Sequence, residues 1–182
     1  MRHKRKKETA TIQRVQYLKK IKSRMENEVG TYFDMLTNYN KLELRKIGFW
    51  STIRLLMPIV ETTAKTLGKT PQEILHQMDV KTPHLVWEMF RHPLIHGDQL
   101  SHIKYKDREI NWGLTLGSGK GVSHIIMHDH IGLDLNYLYS RLLTLLSDEI
   151  SKNDETIIKI EVGIIFDDDA PSYILDDLKK IE

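Results

Sequence analysis

Two long runs of helical hydrophobic spacing constrain this chain more than anything else in it. Apolar residues recur every three or four positions from Ile12 through Val15, Leu18 and Ile21 to Leu36, and again from Leu44 through Trp50, Ile53 and Leu56 to Leu67. A 3.6-residue period gathers such positions into one stripe along a helix, and stripes this long must be buried against other elements. The spacing predicts one helix from Thr9 to about Asn38 and a second from about Lys41 to Leu67, kinked by Pro58 and stopped at Gly68. Trp50, Met57, Trp87 and Met89 fall at core spacing, so packing is the role expected of them.

Local signals continue the pattern. Thr70, Pro71 and Glu73 form the signature of a capping box before "EILHQM", and Thr82 stands in the same relation to "PHLVWEMF". The period then shortens to two on either side of the glycine-rich turn Gly117–Gly121, which predicts a β-hairpin pairing about Glu109–Leu116 with Val122–Ile131. Asp134 is placed to cap a helix over "LNYLYSRLLTLLSDEISK". "TIIKIEVGIIF" reads as one strand, followed by a short amphipathic helix near Pro171–Ile181. The fold class expected is mainly α: a helical bundle with an inserted β-hairpin at about 105–132 and a small α/β C-terminal appendage. Three segments follow, a basic arm and first helix over 1–40, the helical domain over 41–152, and an acidic appendage over 153–182.

A chain of 182 residues is long enough for one packed core. It contains no cysteine, which excludes disulfides, thiolate metal sites and a cysteine nucleophile. The first residues carry charge without an apolar signal region, and no apolar run is long enough to span a bilayer; the expectation is a cytoplasmic chain with no membrane partner. The net charge of +2 conceals a polarised chain. Residues 1–24 hold ten Lys or Arg against Glu8 alone, whereas residues 148–182 hold eleven acids against four lysines. A basic arm is what phosphate-backbone binding needs. It also predicts attraction to the acidic end, within one chain or between two.

Three motifs bear on chemistry. "GLTLGSGKGVS" lacks P-loop spacing and precedes no helix, so it reads as a turn. In "SHIIMHDHIGLD", His124, His128 and His130 would share one face of a continuous strand; two histidines at i and i+2 can chelate zinc, but with no cysteine or well-spaced third ligand they read as solvent- or RNA-facing imidazoles, and no metal site or cofactor is expected. "WEMFRHPLIHGDQL" is the most pointed. In an unbroken helix Arg91 and His96 lie about 140° apart, and Pro93 between them is the residue that would kink or restart the helix and let them share a pocket.

Arg91–His92–Pro93–Leu94–Ile95–His96 resembles the motif of the HEPN family: an arginine, a polar residue, three further residues and a histidine. The resemblance covers roughly residues 41–150. It implies a metal-independent endoribonuclease that works as a homodimer, with two copies of the motif forming a composite site. Under that reading His96 acts as general base or acid, Arg91 grips phosphate oxygens through its fork of donors, and His92 assists. Lys104, Lys106 and Arg108 would hold RNA through phosphate contacts. Defence, stress response or a toxin–antitoxin system with an antitoxin protein as partner is the setting implied. Asp98 stands where some HEPN toxins have a modifiable tyrosine. The other class of function compatible with the residues is a non-catalytic nucleotide- or RNA-binding regulator.

Overall fold

The computed structural model describes residues 5–38, 42–96, 102–116, 123–127, 130–166, 172 and 179–180; for 5, 37, 42–47, 91–96, 112, 123–127 and 164–166 it describes the backbone alone. The elements run β1 (Arg5–Gln13), α1 (Arg14–Arg24), a π-helical segment (Met25–Gly30), α2 (Thr31–Asn38), α3 (Leu42–Leu67), α4 (Pro71–Gln77) and α5 (Pro83–His96). Strands β2 (His102–Tyr105), β3 (Arg108–Thr115), β4 (Ser123–Met127) and β5 (His130–Asp134) follow, then α6 (Leu135–Ser151) and β6 (Ile157–Phe166).

A single hydrophobic core joins the helices, from Leu18, Met25 and Phe33 through Ile53, Leu56 and Val60 to Phe90, Leu138 and Leu142. The π segment has a cause in the sequence. Buried Ile21, Met25, Val29 and Phe33 are spaced by fours. In an α-helix each such step drifts about 40° off the stripe, and the wider i→i+5 turns absorb that drift and keep all four residues inward. Gly30 closes the segment where the Tyr139 hydroxyl approaches; a Cβ there would meet that oxygen at 2.7 Å. Burial and the neighbouring Glu26 and Asp34 raise the Tyr139 phenol above its ordinary value.

The punctuation of the helices is mostly as expected. α3 continues through Pro58 and ends at Gly68, whose φ of +67° suits the residue that lacks a Cβ. The Thr70–Glu73 capping box is complete, with both reciprocal bonds made. Asp134 is fully buried and its carboxylate accepts from the backbone N–H groups of Asn136 and Tyr137 at 3.0 and 3.1 Å. Thr82 is a correction. Its hydroxyl has no hydrogen-bond partner among the described residues, and the third helical position is Leu85, which has no carboxylate to complete a box.

The larger corrections concern strands. Thr9–Gln13 is not the start of a helix. β1 occupies Arg5–Gln13 and pairs antiparallel with β6 from Gln13↔Ile157 to Arg5↔Phe166, with a bulge beside Glu8 and Thr9. The partners are so far apart in sequence that no local period announces them. The expected hairpin does not form either: β3 pairs antiparallel with β2 and parallel with β5, and β4 pairs antiparallel with β5, giving the order β2-β3-β5-β4. The second segment the alternation had marked thus divides between β4 and the start of β5, and β5 lies between β3 and β4. Two sheets, of two and four strands, make this an α/β fold and not the mainly helical bundle expected. The turn Gly117–Gly121 and all of the short helix expected near Pro171–Ile181 except residues 172 and 179–180 lie outside the described residues. Among those described, no helix is long and apolar enough to cross a membrane.

Period-two alternation still governs the four-stranded sheet. Ile103, Ile110, Leu114, Ile131 and Leu133 point to the helical core, while His102, Lys104, Glu109, Asn111, Gly113, Thr115 and His130 occupy the other face. The opposite charges of the two ends meet within one chain. Lys7 Nζ is 2.7 Å from Glu161 Oε1 across the ribbon of β1 and β6, and Arg14 is bonded to Asp154.

Candidate functional site

The motif residues stand on the last turns of α5. Earlier in that helix Val86, Trp87, Met89 and Phe90 are buried while His84 and Glu88 are exposed. The Phe90 ring packs 6.3 Å from Trp50 of α3, so the helix is anchored immediately before Arg91. The assigned helix continues through Pro93 to His96. The helix restart expected at Pro93 is thus not seen, and regular helix geometry sets positions 91 and 96 about 140° apart. Positions 92 and 96, four apart, lie on one side of it. Position 91 repeats the azimuth of His84 to within about 20°. The side chains of Arg91, His92 and His96 are outside the described ones, as is all of Asp98.

The expected phosphate-binding cations sit on the hairpin that follows. Lys104 and Arg108 are on β2 and β3, and Lys106 is in the two-residue turn between them with φ +53°. All three are exposed. Lys104 Nζ is 3.5 Å from Glu109 Oε2, directly across the ladder, and Lys106 Nζ stands 5.3 Å above the Tyr105 ring. Exposed contacts of this length contribute little to stability, so a phosphate can displace the Lys104 contact at small cost.

The structure adds a row that the sequence did not disclose. Register places His102 opposite Asn111 and Asn111 opposite His130, so these side chains line up on the polar face of three neighbouring strands. Strand spacing puts the two histidine backbones about 10 Å apart. Their rings diverge. His102 Nδ1 lies 3.7 Å from Glu109 Oε1, whereas His130 leans over Gly113, where a Cβ would meet its Nε2 at 3.0 Å. Gly113 and Gly132 are themselves partners, so the floor beside His130 carries no side chain. Such a face offers hydrogen-bonding groups but no converging ligands. The histidines expected on one strand are divided: His124 is on β4, His130 on β5, and His128 lies outside the described residues. Among the described residues no group of three or more His, Asp or Glu could hold a metal ion. His102, one residue into its strand and twenty-eight positions from His130, gave no local signal; only strand order unites them.

No family model, curated protein or solved structure matches the chain.

Proposed function

We propose that this chain is a metal-independent endoribonuclease of the HEPN type. The observation that carries the reading is Arg91–His92 followed by His96 at the exit of a core-anchored helix. The chemistry asked of these residues is cleavage by the ribose 2′-hydroxyl. His96 takes or returns the proton, the Arg91 guanidinium stabilises charge on the pentavalent phosphorus, and His92 supports the phosphate or the motif. Because one helix places positions 91 and 96 well apart, the active form is a homodimer in which the motif of one protomer complements that of its partner. Lys104, Lys106 and Arg108 supply phosphate contacts that carry no sequence information. The compartment that fits this activity is the cytoplasm, where its substrate is made.

The test is cleavage of labelled single-stranded RNA in excess EDTA by wild type, Arg91→Ala and His96→Ala. Cleavage by wild type alone, leaving a 2′,3′-cyclic phosphate, is the expected result; folded wild type that cuts nothing across a varied RNA pool overturns it. The uninterrupted course of α5 past Pro93 favours a second reading if the chain is monomeric: a non-catalytic RNA-binding module, which would bind that pool without cutting it.

A further inference from the structure

α3 is buried on most of its circumference, and Thr52, Thr63 and Thr66 are buried on it as well as its apolar residues. Among its described side chains, Arg54, Pro58 and Lys65 are exposed and, with half-buried Thr62, form a stripe of about one residue per turn. α1 presents Tyr17, Lys20 and Arg24 at the same spacing. These stripes face each other across the α1–α3 seam, with Arg24 near Arg54 and Tyr17 near Thr62, so the helices run antiparallel there.

The seam is an open groove made of two adjoining clefts that share Tyr17 and Thr62. The first, about 270 Å³, is lined by Lys20, Arg24 and Arg54 together with Tyr17, Pro58 and Ile59, and among the described residues no carboxylate lines it. The second, about 250 Å³, continues past Lys65 to Lys159 and Glu161 of β6. Arg24 is bonded to Glu28 at 2.9 Å, and Lys65 lies 3.2 Å from Glu61. Lys20 and Arg54 have no carboxylate partner among the described residues. From Arg54 to Lys65 the stripe is about 16 Å long.

We infer that this groove binds the phosphodiester backbone of single-stranded RNA, with Lys20 and Arg54 as the principal phosphate contacts and Tyr17 as the aromatic surface beside them. Cations without counter-charges, aligned along a trough with an aromatic side chain, are the combination that tracks a flexible nucleic-acid strand. The polyanion pairs with charges that have no carboxylate partner among the described residues, whereas an acidic-free apolar pocket would select a neutral ligand. Position within the fold gives the groove a direction. Arg54 is one turn along α3 from Trp50, and Trp50 packs on Phe90, the residue before Arg91. A strand lying in the groove therefore leads toward the motif-bearing end of α5. The identity of the strand as RNA rests on the ribonuclease reading; the phosphate affinity rests on the groove alone.

The experiment is fluorescence anisotropy of a fluorescein-labelled 2′-O-methyl oligouridylate 12-mer, titrated with the full chain in EDTA over a range of salt concentrations. Wild type is compared with Lys20→Ala/Arg54→Ala and with a control of equal charge loss, Arg141→Ala/Lys152→Ala, whose residues line a different cleft. The groove variant should bind about tenfold more weakly, with a salt slope shallower by about 1.4, the release expected from two lost phosphate contacts on a single strand. The control should keep the wild-type slope. Equal slopes for wild type and groove variant overturn the proposal, as does an equal loss in the control. Full displacement of the 12-mer by inorganic phosphate at matched phosphate concentration also overturns it, by reducing the groove to a simple anion site. The probe has no 2′-hydroxyl to react, so a chain that binds it through the groove yet cuts no ordinary RNA loses the ribonuclease reading and keeps the groove.

Discussion

The guanidinium of Arg14 is bonded to the carboxylate of Asp154, 140 positions further along the chain. Arg14 is the first residue of α1, whose preceding residue, Gln13, makes no side-chain cap. The first N–H groups of that helix are satisfied from afar: Arg14 N donates to the Thr156 carbonyl at 2.9 Å and Val15 N to the Asp154 carbonyl at 3.0 Å. One short loop thus starts a helix, receives an ion pair and leads into β6.

This junction predicts an acid-sensitive fold. Hydrogen bonds from the side chain and backbone of Thr156, and then from Arg14, hold the Asp154 carboxyl down to about 2. As pH falls, the unfolded chain takes up this proton first, so the stabilisation is complete above about pH 4 and is lost on descent toward pH 2. Glu73, lowered by its backbone bond to Thr70, and Glu161, lowered by Lys7, lose theirs with the same sign. Asp154→Asn should lower the melting temperature at neutral pH and flatten the dependence between pH 4 and 2; thermal melts across that range will show it, and a mutant curve parallel to wild type would refute the assignment.

Gly48→Ala should destabilise although alanine is the better helix former. A Cβ at position 48 would overlap Leu36 Cδ2, so α2 and α3 must part or Leu36 must leave its site. Overpacking of this kind costs about 1–3 kcal/mol against a propensity gain of about 1 kcal/mol. Urea denaturation with an unchanged slope and a lower midpoint is the expected record, and an unchanged or higher midpoint contradicts it.

Asp134→Ala removes two acceptor bonds at the start of α6 and should cost about 0.5–2 kcal/mol. Asp134→Asn retains an acceptor oxygen and should recover most of that loss in the same urea series. Equal losses for both would mean that the carboxylate charge, and not the cap, is what matters there.

Replacing Lys104, Lys106 and Arg108 together by alanine should weaken RNA binding to a similar degree for unrelated sequences and reduce its salt dependence. All three are exposed, so the melting temperature should hardly move. A selective loss for one RNA sequence would assign these residues to base recognition instead.

Arg91→Lys tests the role given to the guanidinium. Lysine keeps the charge but not the planar fork, so cleavage should fall severely while RNA binding changes little. Wild-type cleavage rates for this variant would show that a point charge suffices.

The elements that declare themselves within one or two turns were readable in the sequence. α3, the Thr70–Glu73 box, the Asp134 cap and β6 follow from local spacing and capping residues. What was hidden depends on distant partners. Ile12 in β1 continues the helical spacing of Val15 and Leu18 in α1, which competes with its strand geometry, and pairing with β6 decides the contest. The alternation around Gly117–Gly121 correctly marked strands, but strand order cannot be read from alternation, so β5 came between β3 and β4. For the proposed site, Arg91, His92 and His96 drew attention in the sequence because they are close together along it. Lys20 and Arg54 were not, since each alone resembles an ordinary solvated position and only the α1–α3 seam sets them side by side.

The ribbon of β1 and β6 also imposes an order of events during synthesis. Lys7 cannot meet Glu161 until 154 further residues have been added, an interval on the order of ten seconds at ribosomal rates. α3, α4 and α5 pack on one another as they emerge and can collapse within that time, whereas α1 still lacks α6 and the Asp154–Thr156 loop that starts it. β1 therefore waits as an unpaired basic strand, on a nascent chain already surrounded by RNA, until its complement emerges.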